Sequence, residues 1–317
     1  MSPSSATSGG STRNQGCNKR QTQANGTLRS RMEPHFPYLH DTSDEIAGPG
    51  DPTRLHVFCQ GSGPPIVLAH GFGGSSRNFL PQARAFRDTH KIWLYDARGH
   101  ARSQSSMFGS AYGWSALISD FGGVVELARN DPSNPIQHAL VVGGLSMGAA
   151  TALFWTLSNP TVVDGLVLAA YPECSAAQRQ WARDFAEKVT INGLEIAGDQ
   201  CVWGARGMFR TEDAGMIRRG FMEHSSAGLA AILNSALANI PDIVSLAPAL
   251  KSLGVPTLVV VGGDDARSLS ASHELAVTLP KARLAIIERS GHVVNLSQPE
   301  AFNHELAQFL ADLGKGR

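Results

Sequence analysis

Cysteine is scarce in this chain and follows no ligand pattern. The four cysteines are Cys17, Cys59, Cys174 and Cys201, and no two of them form a Cys-x-x-Cys pair. This spacing argues against a zinc site and supplies no disulfide framework, although Cys174 and Cys201 could pair in principle. We therefore expect no metal, no cofactor and a reducing, cytoplasmic environment.

The sequence also lacks an excess of either charge and lacks a long apolar run. Its 27 Lys and Arg residues balance its 27 Asp and Glu residues, and without a basic stripe we expect no nucleic-acid partner. No apolar run reaches the roughly 18 residues of a membrane span, so we expect no membrane association. With 42% hydrophobic residues among 317, the chain can bury a central sheet covered on both faces within a single domain.

The N-terminal part lacks acidic residues and any apolar segment typical of a secretory signal. Glu33 is the first acidic residue, and Ser, Thr, Asn, Gln and Gly predominate before it. This composition predicts a disordered extension over residues 1–33. Two alternatives stay open: Met32 is the natural start, or the scattered basic residues belong to an organelle-transit segment.

What the chain does contain is a serine between paired glycines, Gly144-Leu145-Ser146-Met147-Gly148. An apolar run, Ala139 to Val142, precedes it and predicts a strand, and Ala149 to Leu157 predicts a helix after it. On a strained strand-to-helix turn, glycines two positions away relieve crowding and the hydroxyl is exposed. Ser146 is therefore a candidate nucleophile, and the alternative is a tight connection without chemistry.

A serine nucleophile needs a base and an orienting carboxylate. Pro256 to Val261 predicts a buried strand that leads directly into Gly262-Gly263-Asp264-Asp265. A carboxylate there would emerge at the C-terminal end of the strand. The two aspartates are adjacent and point in different directions on an extended segment, so these residues alone leave both open. Asp264 also suits a turn in which its side chain caps nearby amides.

His292 is the candidate base among eleven histidines. It follows a predicted strand, Ala282 to Glu288, and precedes a helix predicted to begin at Pro299. Competing histidines stand in other contexts: near the start of the chain (His35, His40 and His56), before a strand (His90), in the segment after residue 173 (His224) and inside the last helix (His304). The resulting chain order is serine, aspartate, histidine.

Five motifs in this order resemble the α/β-hydrolase fold family, in its single-domain branch with a helical cap. They are His70-Gly71-Phe72-Gly73-Gly74, Asp96 to Ser103, the serine turn, Gly262 to Asp265, and Gly291-His292. The resemblance implies an α/β fold with a mostly parallel twisted sheet, helices on both faces, and a helical cap inserted after the sixth strand. We expect core segments over residues 34–173 and 246–317, and a cap over residues 174–245.

The resemblance also implies roles for particular residues. Family members place the acid three residues after the strand-ending glycine, which selects Asp265, with Glu173 as a more distant alternative. The amides of Phe72 and Met147 are implied as the two donors of an oxyanion hole. His70 and His100 are expected to staple loops rather than act as bases.

The predicted cap is rich in apolar bulk, which indicates a mostly hydrophobic cavity, although most of these side chains should pack the cap on the core. The residues concerned are Trp181, Phe185, Val189, Ile191, Trp203, Met208, Phe209, Met216, Ile217, Phe221 and Met222. Four arginines in the same segment are expected on its surface, unless one turns inward to bind a substrate carboxylate. These are Arg206, Arg210, Arg218 and Arg219.

Serine rather than aspartate at the turn favours acyl transfer to water through an acyl-serine intermediate. The chain is similar to small esterases and enol-lactonase-like members, although Ala101 and Ala149 stand where those relatives often have glycine. We therefore expect a carboxylic ester hydrolase or lactonase acting on a small molecule. Two alternatives remain: hydrolysis of a carbon–carbon bond in a diketone-like ring-cleavage product, and a ligand-sensing receptor on the same fold.

Overall fold

The computed structural model describes residues 40–48, 51–133, 139–203 and 214–315. Side chains are described within these ranges from residue 53 onward, except for residues 214–216. The predicted disordered extension, residues 1–33, lies outside the described residues.

Within these ranges, eight strands form one sheet in the order β1-β2-β4-β3-β5-β6-β7-β8. The strands are β1 (His40–Gly48), β2 (Asp51–Gln60), β3 (Pro65–Ala69), β4 (Lys91–Tyr95), β5 (Val141–Leu145), β6 (Gly165–Ala169), β7 (Thr257–Gly262) and β8 (Ala282–Ile287). β2 pairs antiparallel with β1 and β4, and the strands from β4 to β8 in the sheet are parallel. The predicted mostly parallel sheet is confirmed.

Helices cover both faces of this sheet, as predicted. They are α1 (Leu80–Phe86), α2 (Trp114–Arg129), α3 (Met147–Ser158), α4 (Ala176–Gly198), α5 (Ala214–Phe221), α6 (Ser226–Ser235), α7 (Ile243–Ser252), α8 (Ala266–Thr278), α9 (Val294–Ser297) and α10 (Pro299–Lys315). Buried side chains of α2, α3 and α8 pack on one face, and those of α1, α9 and α10 on the other. β3, β5, β6 and β7 are buried along their whole length, as parallel strands between two helical layers should be.

A helical segment follows β6 and consists of α4, a π-helical turn over Asp199–Trp203, α5 and α6. We call this segment the cap. Non-helical backbone at Gly193, with φ of 75°, kinks α4. Inside the cap, the rings of Phe185 and Phe221 stack with their centroids 6.2 Å apart. Residue 245, the last residue of the predicted cap, lies inside α7.

No single helix in the described part is long and apolar enough to cross a membrane. Ser226–Asn239 and Ile243–Ser252 pass the same length and composition test only as a pair, and the pair is bent by 74°.

Candidate active site

Ser146 lies on the sharp turn between β5 and α3, with backbone angles φ of 53° and ψ of −115°. L-residues rarely adopt positive φ, and such strain concentrates at functional sites. A Cβ atom at Gly148 would lie 2.1 Å from the carbonyl oxygen of Ala69, and one at Gly144 would lie 2.5 Å from the same oxygen. Glycine at these two positions therefore lets the turn pack against the backbone at the end of β3, more closely than any residue with a Cβ atom permits.

His292 is oriented by a carboxylate. Its Nδ1 atom lies 2.8 Å from Oδ2 of Asp265 and 3.2 Å from Oγ of Ser268. A carboxylate only accepts hydrogen bonds, so Nδ1 carries the proton and Nε2 of the neutral ring is left to accept one. Burial opposes ionisation of Asp265, but hydrogen bonds from His292 and Ser268 outweigh it and lower the pKa of this carboxyl group.

The two alternative carboxylates, Asp264 and Glu173, differ from Asp265 in their surroundings. The side chain of Asp264 is exposed, whereas Asp265 is 7% exposed. Glu173 lines the same cavity as His292. Among the side chains that the structure describes, the carboxylate hydrogen-bonded to His292 is that of Asp265.

Ser146, His292 and Phe72 line one cavity of about 560 Å³. The segment that carries Phe72 runs beside the serine, because a Cβ at Gly71 would lie 3.4 Å from Cβ of Ser146. In the described part of the chain, the amides of Phe72 and Met147 donate no hydrogen bond to the protein. Both amides are therefore available to a bound oxygen atom.

The cap supplies much of the apolar wall of this cavity. Among the predicted apolar residues, those that line it are Trp181, Phe185, Ile217 and Phe221. Val189 and Trp203 are buried within the cap, whereas Ile191 and Met222 are exposed. Met208, Phe209 and the side chain of Met216 lie outside the described residues.

Of the two predicted cap arginines that the structure describes, one borders the cavity. Arg219 is among its lining residues, and Arg218 forms an ion pair with Glu195 on the cap surface. Arg206 and Arg210 lie outside the described residues.

His70 and His100 hold loops at the sheet edge, in agreement with the expected stapling role. Nε2 of His70 accepts a hydrogen bond from the amide of Ala97 at 2.9 Å. Nε2 of His100 accepts one from the amide of Gly73 at 3.1 Å. Burial lowers the pKa of both imidazoles, which favours the neutral rings that these bonds require.

The motif from Asp96 to Ser103 is also structural. Arg98 forms a two-pronged ion pair with Asp120 of α2, with distances of 2.7 and 2.6 Å. The carboxylate of Asp96 accepts hydrogen bonds from the Ser76 amide at 2.7 Å and from Nε of Arg102 at 2.9 Å. These buried contacts fix the loop after β4 next to the segment that carries Phe72.

The sequence did not indicate a role for two polar residues, Ser268 and His224. Ser268 contacts both Asp265 and His292, and its place in the first turn of α8 was the only local signal. His224, which the sequence placed simply in the cap, is 8% exposed and hydrogen-bonds to the loops after β3 and β4. Its partners are 151 and 123 positions away in sequence, so no local pattern could have indicated them.

Cys174 and Cys201 form no disulfide in the described part of the chain, so the possible pairing between them is absent there. Burial raises the pKa of the Cys174 thiol to about 12, which disfavours the reactive thiolate. No group of three or more His, Cys, Asp or Glu side chains in the described part is arranged to hold a metal ion.

Comparison with known proteins gives the family. A model of the alpha/beta hydrolase family matches residues 66–305. The putative carbamate hydrolase RutD of Agrobacterium fabrum is 29% identical over 264 residues, which cover 81% of this chain and 97% of that protein. An esterase of Thermogutta terrifontis, 24% identical, has a TM-score of 0.72 and covers 87% of this chain and 98% of its own. The enol-lactonase of Burkholderia xenovorans, 22% identical, has a TM-score of 0.68. The match covers 82% of this chain and 97% of the enol-lactonase. The chain therefore belongs to the alpha/beta hydrolase family.

Proposed function

We propose that this protein is a serine hydrolase that cleaves a carboxylic ester or lactone through an acyl-serine intermediate. One observation carries the proposal: the strained turn places Ser146 in the same cavity as His292, whose ring Asp265 orients at 2.8 Å. A hydroxyl, a base and an orienting carboxylate are what acyl transfer requires, and their chain order Ser, Asp, His is that of the α/β-hydrolases.

In the proposed reaction, Oγ of Ser146 attacks the carbonyl carbon of the substrate while Nε2 of His292 takes the hydroxyl proton. The tetrahedral intermediate collapses, the bond to the leaving oxygen breaks, and His292 gives that oxygen its proton. Water, deprotonated by His292 in turn, attacks the acyl-serine. The bond between the acyl carbon and Oγ of Ser146 breaks, His292 returns the proton to Oγ, and the acid leaves. Asp265 holds the ring in the required tautomer and stabilises the imidazolium.

Two backbone amides are assigned to the negative oxygen of the intermediate. The amide of Met147 begins α3, where the helix dipole also favours negative charge. Phe72 lines the cavity from the loop after β3, and its amide is assigned as the second donor. Loss of one such donor typically slows turnover by roughly a hundred- to a thousand-fold.

The same residues also suit the hydrolysis of two other kinds of bond. The Agrobacterium relative is named a putative carbamate hydrolase, and a carbamate presents the same kind of carbonyl carbon to Ser146. A carbon–carbon bond in a diketone-like ring-cleavage product is the other candidate. The apolar walls from Trp181, Phe185 and Phe221 favour a largely hydrophobic acyl group or ring in each case.

A substrate panel tests the proposal. It comprises p-nitrophenyl esters of increasing acyl length, lactones, an alkyl carbamate and a diketone-like ring-cleavage product. We expect repeated turnover of an ester or lactone, and a loss of at least roughly a thousand-fold in Ser146→Ala with an unchanged melting temperature. Full activity in that variant would refute the nucleophile. Faster cleavage of the carbamate or the ring-cleavage product would refute the ester or lactone as the bond that is cleaved. Hydrolysis that stops after one turnover would point to a receptor.

A further inference from the structure

The turn between α5 and α6 docks the cap onto two loops of the core. We call residues 221–228 the cap junction, residues 70–76 the oxyanion loop, and residues 96–104 the β4 loop. Nε2 of His224 lies 2.9 Å from the carbonyl oxygen of Gly73 in the oxyanion loop. Nδ1 of His224 accepts from the amide of Ala101 in the β4 loop at 2.8 Å. One cap side chain therefore joins both loops.

The partners of His224 determine its protonation. The Ala101 amide can only donate, so Nδ1 must be unprotonated, and the Gly73 carbonyl can only accept, so Nε2 must carry the proton. The ring is therefore neutral and in one defined tautomer. Burial lowers the pKa of His224 to about 4, despite the opposing effect of the bond to Gly73. The imidazole thus stays neutral near neutral pH.

Gly73 is held from both sides of its backbone. His100 accepts from its amide at 3.1 Å, while His224 donates to its carbonyl oxygen at 2.9 Å. The two imidazoles lie edge to face with centroids 4.9 Å apart. The Gly73–Gly74 peptide, whose carbonyl His224 holds, donates its N–H to the carbonyl oxygen of Gly71 at 3.0 Å. That carbonyl lies in the same peptide plane as the Phe72 amide, so the direction of the Phe72 amide depends on how Gly73 is held.

Packing reinforces these hydrogen bonds. Gly73 has φ of +69°, and a Cβ atom there would lie 2.7 Å from the ring of Phe221, so the ring rests directly on the glycine. The same ring meets that of Phe72 edge to face, with centroids 6.4 Å apart. On the β4 loop, the amide of Ser225 donates to the carbonyl oxygen of Gly99 at 3.1 Å. The cap junction and the oxyanion loop therefore form one packed unit.

We propose that His224 is a positioning residue that couples the cap to the oxyanion hole. Through Gly73 it sets the direction of the Phe72 amide, so the placement of the cap controls how well the tetrahedral intermediate is stabilised. His224 does not contact the reacting atoms and acts through the loop alone. The inference rests on the proposed function, since it takes Phe72 as an oxyanion donor.

Two conservative variants separate the two bonds of His224. In His224→Gln, the side-chain amide reaches the position of Nε2 and can still donate to Gly73. In His224→Asn, the shorter amide reaches only the position of Nδ1, so it keeps the acceptor for Ala101 and loses the bond to Gly73. His304→Asn, an exposed histidine on α10, is the matched control.

Steady-state kinetics on the best ester of the panel is the first measurement. We expect kcat to fall roughly ten- to a hundred-fold in His224→Asn with KM within about threefold, because a displaced oxyanion donor weakens mainly transition-state binding. His224→Gln should stay within a few-fold of the wild type, and His304→Asn should match it. Equal losses in the Asn and Gln variants, or a raised KM with unchanged kcat, would overturn the proposal.

Amide hydrogen exchange of residues 71–76, followed without substrate, is the second measurement. We expect faster exchange there in His224→Asn and wild-type exchange in His224→Gln. If the wild type hydrolyses no panel substrate but this exchange pattern holds, the proposed function fails and the coupling of cap to loop stands. Unchanged exchange in both variants would overturn the coupling itself. Phe221→Leu, which removes the ring from Gly73, replaces His224→Asn if that variant does not fold, with the same expected increase.

Discussion

At the scale of single residues, the site concentrates backbone strain. The non-glycine residues with positive φ in the described part are Ala101, Ser146, Ala170 and Arg289. Ser146, Ala170 and Arg289 each lie within two residues of the C-terminal end of a parallel strand, and a residue in this region costs on the order of 1 kcal/mol or more. At Ser146 the conformation is held by hydrogen bonds from its amide to Ala169 at 2.9 Å and from Ala150 to its carbonyl oxygen at 3.0 Å.

Asp265→Asn should impair turnover far more than Asp264→Asn. An asparagine at 265 can present its amide to Nδ1 of His292, which stabilises the wrong tautomer and puts the proton on Nε2, where the base must be free. We expect a loss of roughly 10⁴-fold in kcat for Asp265→Asn, as known for this change in other serine hydrolases, and less than about threefold for Asp264→Asn. Steady-state assays of both variants decide the matter, and equal losses would show that the acid is misassigned.

Sequence identifies candidate residues where the chemistry needs a local pattern. Ser146 and His292 stand out because glycines and strand ends mark them within a few positions. The choice between Asp264 and Asp265 needed the resemblance to a family, since the chain turns between them and only coordinates show which carboxylate faces His292. His224 was beyond prediction because its role arises from loops that the fold brings to it.

At the scale of elements, the turn from β5 to α3 tolerates no side chain at its flanking glycines. Gly148→Ala should destabilise the protein by about 1 to 3 kcal/mol, because its Cβ would meet the backbone oxygen of Ala69 at 2.1 Å. Gly254→Ala is the control, since a Cβ there meets no atom within 4 Å. Urea unfolding of both variants measures the difference. An equal midpoint for Gly148→Ala and the wild type would contradict the close approach.

Arg219 should select for negative charge on the substrate. Its side chain borders the cavity and has no ion-pair partner among the described residues, whereas Arg218 on the same helix pairs with Glu195. We expect Arg219→Gln to raise KM several-fold for an ester whose acyl chain ends in a carboxylate, and to leave a neutral ester of equal length unchanged. Arg218→Gln should change neither. A similar rise in KM for both esters would exclude charge recognition.

Hydrophobic patterning predicts the central strands of the sheet, but it does not predict β2, which lies next to the edge strand β1. Pro256 to Val261 predicts a buried strand, and β7 spans Thr257–Gly262, because a short apolar run between turn signals is typical of a buried strand. β2 was missed because it combines residues such as Arg54 and His56 with buried Leu55 and Val57, so its face pattern depends on β1 and β4. Cap boundaries are similarly set by tertiary contacts rather than by composition.

At the scale of the whole molecule, the buried histidines should make stability depend on pH. His70, His100 and His224 all have lowered pKa values, mainly through burial. The neutral rings connect the oxyanion loop, the β4 loop and the cap junction. Asp96 and Glu223 lie close enough to oppose the lowering at His224, but they do not reverse it.

The free energy of unfolding should therefore fall as the pH falls from about 6.5 to about 4. In this window the unfolded chain binds more protons than the folded one, because the pKa of His224 drops from 6.5 to about 4 on folding. Protonation of His224 lowers the free energy of unfolding by on the order of 3 kcal/mol in total. Below the pKa of His224 in the folded protein, this residue causes no further loss. Urea titrations at a series of pH values measure it. His224→Gln should show a shallower decline, and an identical slope in that variant would contradict the assignment.

The central claim is that Ser146 becomes covalently acylated. Its most direct test is a mass measurement of the intact protein after reaction with a fluorophosphonate, followed by peptide mapping. We expect one adduct per chain, located on Ser146, absent from Ser146→Ala and formed much more slowly in Asp265→Asn. An adduct on another residue, or one that forms at the wild-type rate in Ser146→Ala, would contradict it.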